Sequence, residues 1–159
     1  MTFRELLAGD LAPIKSLLEA TAVFRPEEID VAMELLAHPF KKPGQEDYYF
    51  LVAESGGKVA GYACWGATPG TRGTWDLYWI ATAPEMQGKG TGKKLMAGAE
   101  ADIIRRGGRL CVVETSGLPS YEKTRQFYVH SGYGLAARVS DYYAPGDDLC
   151  IFTKRLAAI

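Results

Sequence analysis

Along the chain the spacing of apolar residues switches between a period near two and a period near 3.6, and the switches mark out the elements. Residues 2–6 predict a short strand. Beyond Asp10, the expected N-cap, Leu11, Ile14, Leu17 and Leu18 share one helical face. Pro26-Glu27-Glu28 opens a second helix, with proline in its first turn and acids at the positive end of the dipole. Its stripe is Ile29, Met33 and Leu36, and His38-Pro39 is expected to end it. Residues 40–47 read as a loop, and His38, a lone histidine before a proline, is given no catalytic role. Residues 48–54 and 59–67 are β-rich runs joined by Ser55-Gly56-Gly57-Lys58, a hairpin signal because glycine supplies the positive dihedrals of such turns. A turn over residues 68–73 leads into an apolar, aromatic strand over residues 74–81, completing an antiparallel meander. Leu95, Met96, Ala99 and Ile103 then line one face of a helix that Gly107-Gly108 stops. Residues 109–115 have the continuous apolar form of a strand covered on both faces, so strand, helix and strand imply a right-handed crossover. A helix over about residues 121–130, capped by Gly132, and strands over 133–143 and 149–156 around a turn at 144–148 finish the pattern.

The junction of the third long strand with its helix carries Gln87-Gly88-Lys89-Gly90-Thr91-Gly92, preceded by Pro84. Glycines here let the backbone turn and strip away side chains, so that several N–H groups can converge on an anion at a helix N-terminus. Two common anions are excluded by spacing. Gly92-Lys93 is followed by Lys94 rather than serine or threonine, and the position five before Gly92 is Gln87, so no nucleotide-triphosphate loop is present. Gly88, Gly90 and Gly92 are spaced G-x-G-x-G rather than G-x-G-x-x-G, which argues against a dinucleotide fold.

What fits is Q-x-x-G-x-G, from Gln87 through Gly90 to Gly92, with a strand and proline before it and a helix after it. In this register the stretch resembles the coenzyme A pyrophosphate loop of the GNAT superfamily of N-acetyltransferases. A second family signature, N-x-x-A-x-x-F-Y-x-x-x-G-F, is similar to the run from Tyr121 through Thr124, Phe127-Tyr128 and Gly132-Tyr133. Tyr121 and Thr124 stand where the family has asparagine and alanine; the ending is kept. The order of elements from Thr2 to Leu156 also resembles the complete GNAT fold: a mixed α/β (α+β) architecture, six to seven mostly antiparallel strands flanked by about four helices. The resemblance implies acetyl-CoA as donor, held by Gln87, Gly88, Lys89, Gly90, Thr91, Gly92 and Lys93, with Thr124 and Phe127 beside it. It places an oxyanion-binding backbone N–H among Ile80, Ala81 and Thr82, and it matches Tyr128 to the family's general acid, against the alternative of a packing tyrosine. Asp76, eleven residues before Gln87, stands where some members hold a catalytic carboxylate. A buried carboxylate is costly unless paired or working, so Asp76 is either a base or a residue of the solvated strand face; Glu114 is the second candidate base, directly or through water.

Composition narrows the class without choosing the acceptor. At 159 residues with no repeat, low-complexity tract or linker, residues 1–159 are expected to form one domain. With 18 Lys and Arg against 19 Asp and Glu, nothing calls for nucleic acid or an anionic membrane. No basic leader with an apolar core and no apolar span near ~20 residues is found, so a cytoplasmic protein is expected. Cys64, Cys111 and Cys150 sit singly in apolar runs, which predicts reduced core thiols and no metal. In the family the acceptor amine, small or peptide-borne, is bound by the region corresponding to residues 20–40 and by the last hairpin, residues 140–148. Asp76, Glu114, Asp141, Asp147 and Asp148 together suggest negative potential and a cationic acceptor, against the alternative of ordinary turn chemistry. Only one of Tyr142 and Tyr143 can face a cleft from an alternating strand. A homodimer, common in the family, is an allowed state. Two further readings stay open: an acyl-CoA-binding sensor without turnover, and an interaction role through the edge of the last hairpin.

Overall fold

The β-rich runs pair edge to edge into one seven-stranded sheet in the computed structural model, which describes residues 1–156 and so leaves 157–159 of the expected domain outside. In chain order the elements are β1 (Thr2–Arg4), α1 (Leu11–Ala20), α2 (Pro26–Lys41), β2 (Tyr49–Ser55), β3 (Lys58–Ala67), β4 (Thr74–Thr82), α3 (Thr91–Arg105), β5 (Leu110–Ser116), α4 (Glu122–His130), β6 (Gly134–Ala144) and β7 (Asp147–Arg155). The sheet order is β1-β2-β3-β4-β5-β7-β6, antiparallel except between β4 and β5. This is the mixed, mostly antiparallel sheet with four helices that the resemblance implies. Gly56 and Gly57, at φ 58° and 74°, make the two-residue turn between β2 and β3.

Each face of the sheet carries its own core. On one side Ile14, Leu17 and Leu18 of α1 and Ile29, Ala32 and Leu36 of α2 pack on Val52, Tyr62, Cys64 and Ala81. On the other, Leu95, Met96, Ala99 and Ile103 of α3 and Tyr128 of α4 pack on Ala53, Ala63, Trp65, Val113 and Phe152. The three cysteines are buried and free, as expected.

Several boundaries differ from the sequence reading for local reasons. Asp10 does not cap α1: it closes a 3-10 turn, Ala8–Asp10, and no side-chain cap bond joins it to the helix. Its carboxylate, 5% exposed, instead accepts the Leu7 N–H at 2.8 Å and two Arg4 N–H groups at 2.7 and 2.9 Å. The arginine bonds hold that carboxyl below the ordinary range. β1 accordingly stops at Arg4 rather than at residue 6. α2 runs through Pro39 to Lys41, because a proline this near the C-terminus deletes one bond while the Lys42 N–H still reaches the His38 carbonyl at 2.9 Å. His38 itself bonds Asp47 at 2.9 Å and lies edge-on to Tyr48, in keeping with a structural place. Tyr121 belongs to a 3-10 turn, Pro119–Tyr121, ahead of α4. The last hairpin turn shrinks to Pro145-Gly146, since Ala144 already pairs with Asp147.

The irregularity that matters most lies in β4. Leu77 pairs with Trp65 and Trp79 with Cys64, so Tyr78 is an extra residue, a β-bulge. Before the bulge Trp75 and Leu77 face the α3 side; after it Ile80 packs on that side, while Trp79 and Ala81 face α1 and α2. An unbroken strand would have put Trp75, Leu77, Trp79 and Ala81 on one face.

The α3 helix ends in a Schellman motif, with Gly107 at φ 85° and the N–H groups of Gly107 and Gly108 bonded to Ile104 and Ile103 at 3.0 and 2.8 Å. A Cβ at Gly108 would lie 2.2 Å from Ile103 Cγ2 and 2.7 Å from Trp75 Cδ1. Gly108→Ala should therefore destabilise the protein by about 1–3 kcal/mol in urea denaturation; an unchanged midpoint would show that the end of α3 can move aside freely.

Candidate active site

β4 and β5 are joined by only three parallel pairs, Thr74–Leu110, Trp75–Cys111 and Asp76–Val112. Beyond Asp76 the bulged β4 bends off along β3 while β5 stays paired with β7 through Ser116. The gap between them is a cavity of about 420 Å³ whose walls include Asp76, Ile80, Glu114, Thr124 and Tyr128, with Phe24 and Glu28 above from the α1–α2 connection and the start of α2.

Backbone direction in β4 follows from its pairing. The Ala83 N–H donates to the Ala60 carbonyl at 2.9 Å, and the register is unbroken back to Trp79, so the N–H groups of Ala81 and Trp79 also point to β3. Those of Ile80 and Thr82 point the opposite way, away from β3, with Ile80 lining the gap and Thr82 a neighbouring cavity. Of the three predicted oxyanion positions, Ala81 therefore has its amide in the ladder, and Ile80 and Thr82 do not.

A second cavity, of about 880 Å³, runs from the first toward the glycine loop and shares Phe24, Ile80 and Thr124 with it. It is lined by Ala81, Thr82, Gln87, Gly88, Gly90, Thr91, Gly92, Lys93 and Phe127 as well; Lys89 is exposed beside it. Gly88 and Gly90 have φ of 73° and 82°, Gly90 is the left-handed residue before α3, and a Cβ at either would meet nothing within 4 Å. Gly92 has a different reason: its Cβ would lie 3.3 Å from Phe127 Cε2. The first main-chain bond into the helix is Lys94 N–H to the Gly90 carbonyl at 3.1 Å. Among the described residues, no acceptor is found for the six N–H groups of residues 88–93. These donors lie in and just before the first turn of a 15-residue helix, whose positive end favours an anion.

The titratable groups of the smaller cavity differ in how free they are. Tyr128 is 6% exposed, ringed by Phe127, Tyr133 and Phe152, and its hydroxyl has no hydrogen-bond partner among the described residues. Burial holds the phenol above the ordinary tyrosine value, with Cys111 and Tyr143 adding to the effect, so it keeps its proton at neutral pH. Asp76 is half-buried, and its Oδ2 accepts the Thr68 hydroxyl at 2.6 Å. Glu114 reaches into the gap with neither a hydrogen bond nor an ion pair among the described residues. Its pKa is raised, first by desolvation against the walls and then by the negative charge of Asp76.

The predicted acids of the last hairpin do not join this group. Asp147 is buried and accepts the Ser116 hydroxyl; Asp148 accepts Arg138 Nε at 2.8 Å and the Asp141 N–H at 3.0 Å; Asp141 accepts the Gly146 N–H at 2.7 Å. They are turn and strand chemistry, and none lines the cavity. Tyr143 does line it, while Tyr142 is 56% exposed, as alternation requires. Glu28 is the acid that sequence reasoning missed, because a glutamate in a first helical turn is explained by the helix dipole alone. Tyr121, where the resemblance expects asparagine, donates its hydroxyl to Glu28 at 3.1 Å and so ties the start of α4 to α2. Among the described residues no set of three or more His, Cys, Asp or Glu side chains is placed to hold a metal ion, and no helix is long and apolar enough to cross a membrane.

The model of the GNAT acetyltransferase domain matches residues 46–134. A crystal structure from Desulfovibrio desulfuricans, of a protein assigned to the GNAT family of acetyltransferases, is 41% identical over 98% of this chain and 99% of its own, with a TM-score of 0.91. An aminoglycoside 6'-N-acetyltransferase solved with coenzyme A is 17% identical over 100% of this chain and 99% of its own, with a TM-score of 0.81. The ribosomal-protein-S18-alanine N-acetyltransferase of Escherichia coli is 19% identical over 99% and 95%, with a TM-score of 0.77. The last two likenesses carry the fold alone. No curated protein sequence matches the chain.

The coupling of the two carboxylates is directly measurable. In Asp76→Asn the Glu114 carboxyl, followed by carbon-detected NMR, should titrate at lower pH than in the parent protein, because a neighbouring negative charge has gone while the desolvation remains. A midpoint that stays in place would mean the two groups do not sense each other across the gap.

Proposed function

The chain belongs to the GNAT acetyltransferases, and from that premise we propose that it passes an acetyl group from acetyl-CoA directly to a primary amine while both are bound in one site spanning the sheet. One observation carries this reading above the others. The free amides of residues 88–93 open onto a cavity that meets, at Ile80 and Thr124, the pocket into which the unpartnered Tyr128 hydroxyl projects.

The donor's diphosphate fits a loop of this kind: converging N–H groups, two glycines whose Cβ space is empty, and Lys93 on the rim. The coenzyme A carried by the aminoglycoside acetyltransferase neighbour supports the same donor. The pantetheine arm would then pass Thr124 and Phe127, and the thioester would reach the gap between β4 and β5. There the Ile80 N–H, turned away from β3, is the donor to the oxygen that gains charge as the amine attacks. One such donor is worth roughly 10²–10³ in rate.

Three proton movements remain, since the nitrogen gives up two protons on its way from ammonium to amide and the departing sulfur takes one. An alkylammonium near pKa ~10.4 is protonated at neutral pH and must lose a proton to become a nucleophile. Glu114 is the better base of the two carboxylates, directly or through water, because it is unpartnered and its pKa is raised toward working pH, whereas Asp76 already accepts the Thr68 hydroxyl. Asp76 serves it as a neighbouring charge. Tyr128, which retains its proton at neutral pH, hydrogen-bonds the departing sulfur and is the source of the proton it takes. With Glu28, Asp76 and Glu114 in the walls, the acceptor we infer is a cationic amine.

Calorimetry with acetyl-CoA should show binding at sub-millimolar ligand, and its absence would remove the donor assignment. Tyr128→Phe should lower kcat at least ~10-fold with little change in acetyl-CoA affinity; turnover equal to the parent would overturn the acid role. The base must be ionised, so activity should fall as pH drops through the raised Glu114 pKa. Glu114→Gln should remove that limb and reduce kcat/KM by about 10²–10⁴; a limb that persists unchanged would pass the role to Asp76 or water.

A further inference from the structure

The acceptor pocket is one-sided in charge. Three of the side chains lining it are carboxylates, Glu28, Asp76 and Glu114, and none is Lys, Arg or His. A single base is enough to deprotonate one amine. Asp76 and Glu114 come from the strand walls, where they act on each other, but Glu28 comes from α2, a separate wall.

Glu28 is held in place by its neighbours. Its carboxylate accepts the Tyr121 hydroxyl at 3.1 Å and the Arg25 main-chain N–H at 2.7 Å, and it forms a long ion pair, 3.8 Å, with the exposed Arg25 guanidinium, which is not part of the pocket lining. Around it are aromatic rings. Phe24 lies edge-on to Trp79 at 5.0 Å and to Tyr121 at 6.3 Å, and all three line the pocket together with Glu28. A fixed carboxylate beside several aromatic rings is the composition that holds an alkylammonium group by charge and by cation–π attraction. The reacting end is marked independently by the Tyr128 hydroxyl, nearly buried, without a partner, and open to the same pocket.

We propose that the acceptor is a linear diamine or polyamine that binds with one nitrogen at Glu114 and Tyr128 and a second, as ammonium, against Glu28 and the rings of Phe24, Trp79 and Tyr121. This deepens the transferase reading above and rests on it. Both nitrogens are protonated in water at neutral pH. The first loses one proton to solvent by way of Glu114 on binding; as the neutral amine it bonds the acetyl carbon and gives a second proton to Glu114, the carbon–sulfur bond breaks, the sulfur takes a proton from Tyr128, and the second proton passes from Glu114 to Tyr128 through solvent, so that one proton is released in all. The second nitrogen keeps its charge throughout and fixes the chain so that the first stands at the thioester. A free amino acid is disfavoured, since its carboxylate would meet three like charges.

The test compares 1,4-diaminobutane with butylamine, which has the same carbon chain and one nitrogen fewer. The diamine should have kcat/KM at least ~10-fold higher, and its advantage should shrink with added salt. Glu28→Gln keeps an acceptor for the Tyr121 hydroxyl and should bring the ratio of the two amines to within about threefold of one. A ratio near one in the parent protein, or equal losses for both amines in the variant, would overturn the proposal while leaving acetyl transfer intact. Calorimetry of 1,4-diaminobutane with coenzyme A-loaded protein makes the test independent of turnover. It should show binding that weakens at least ~5-fold in Glu28→Gln; no binding, or the same affinity in both, would overturn the subsite. Glu28-dependent binding without acetylation of any amine would instead sink the transferase reading and leave the subsite standing.

Discussion

Three residues of parallel pairing, 74–76 against 110–112, hold β4 to β5 before the extra residue at Tyr78 turns β4 aside. A sheet ladder is satisfied only while strands run side by side, so a bulge that bends one strand leaves a row of main-chain donors and acceptors without a neighbour. In most proteins such a row is covered or paired. Here it becomes the wall of a cavity, with the Ile80 amide directed into it and Glu114 facing it from β5. The same extra residue reverses the facing of the strand, so that Trp75 and Leu77 support the α3 side while Trp79 reaches the α1–α2 side and meets Phe24. One inserted residue thus opens the gap, aims an amide into it and supplies one of its aromatic walls.

The two cavities that meet at this gap have opposite electrostatic characters. The larger begins at a helix N-terminus with six amides that have no acceptor among the described residues, an arrangement of partial positive charge that requires no side chain. The smaller is walled by carboxylates and aromatic rings. These characters suit the anionic donor proposed above at one end and the cationic acceptor proposed above at the other, with Ile80, Thr124 and Tyr128 lying between them. Phe127 and Tyr128 divide the work along one helix turn: the first packs against Gly92 and keeps the loop in place, and the second presents a hydroxyl to the gap. The Schellman end of α4 at Gly132 and Tyr133 holds that turn against the sheet, with the Tyr133 N–H on the Tyr128 carbonyl at 3.0 Å.

The sequence by itself determined the order of elements, the hairpin at Gly56-Gly57, the stripe of α3, the two Schellman glycines and the glycine loop that opens α3. Each of these depends on residues within a few positions of one another, where glycine dihedrals, helical spacing and strand alternation act locally. Local spacing also separated Tyr143 from Tyr142. What only the tertiary structure decided was how partners far apart in the chain use their polar groups. Asp141, Asp147 and Asp148 looked as free as Glu114, yet the folded chain binds all three to turn amides, Ser116 and Arg138 and leaves Glu114 open. Asp10 looked like a cap until Arg4 took its carboxylate, and Glu28 looked like a dipole residue until Tyr121, 93 positions away, fixed it over the cavity. The bulge at Tyr78 is of the same kind, since it exists only as a mismatch between two strands, and a register is a property of a pair that neither strand carries alone.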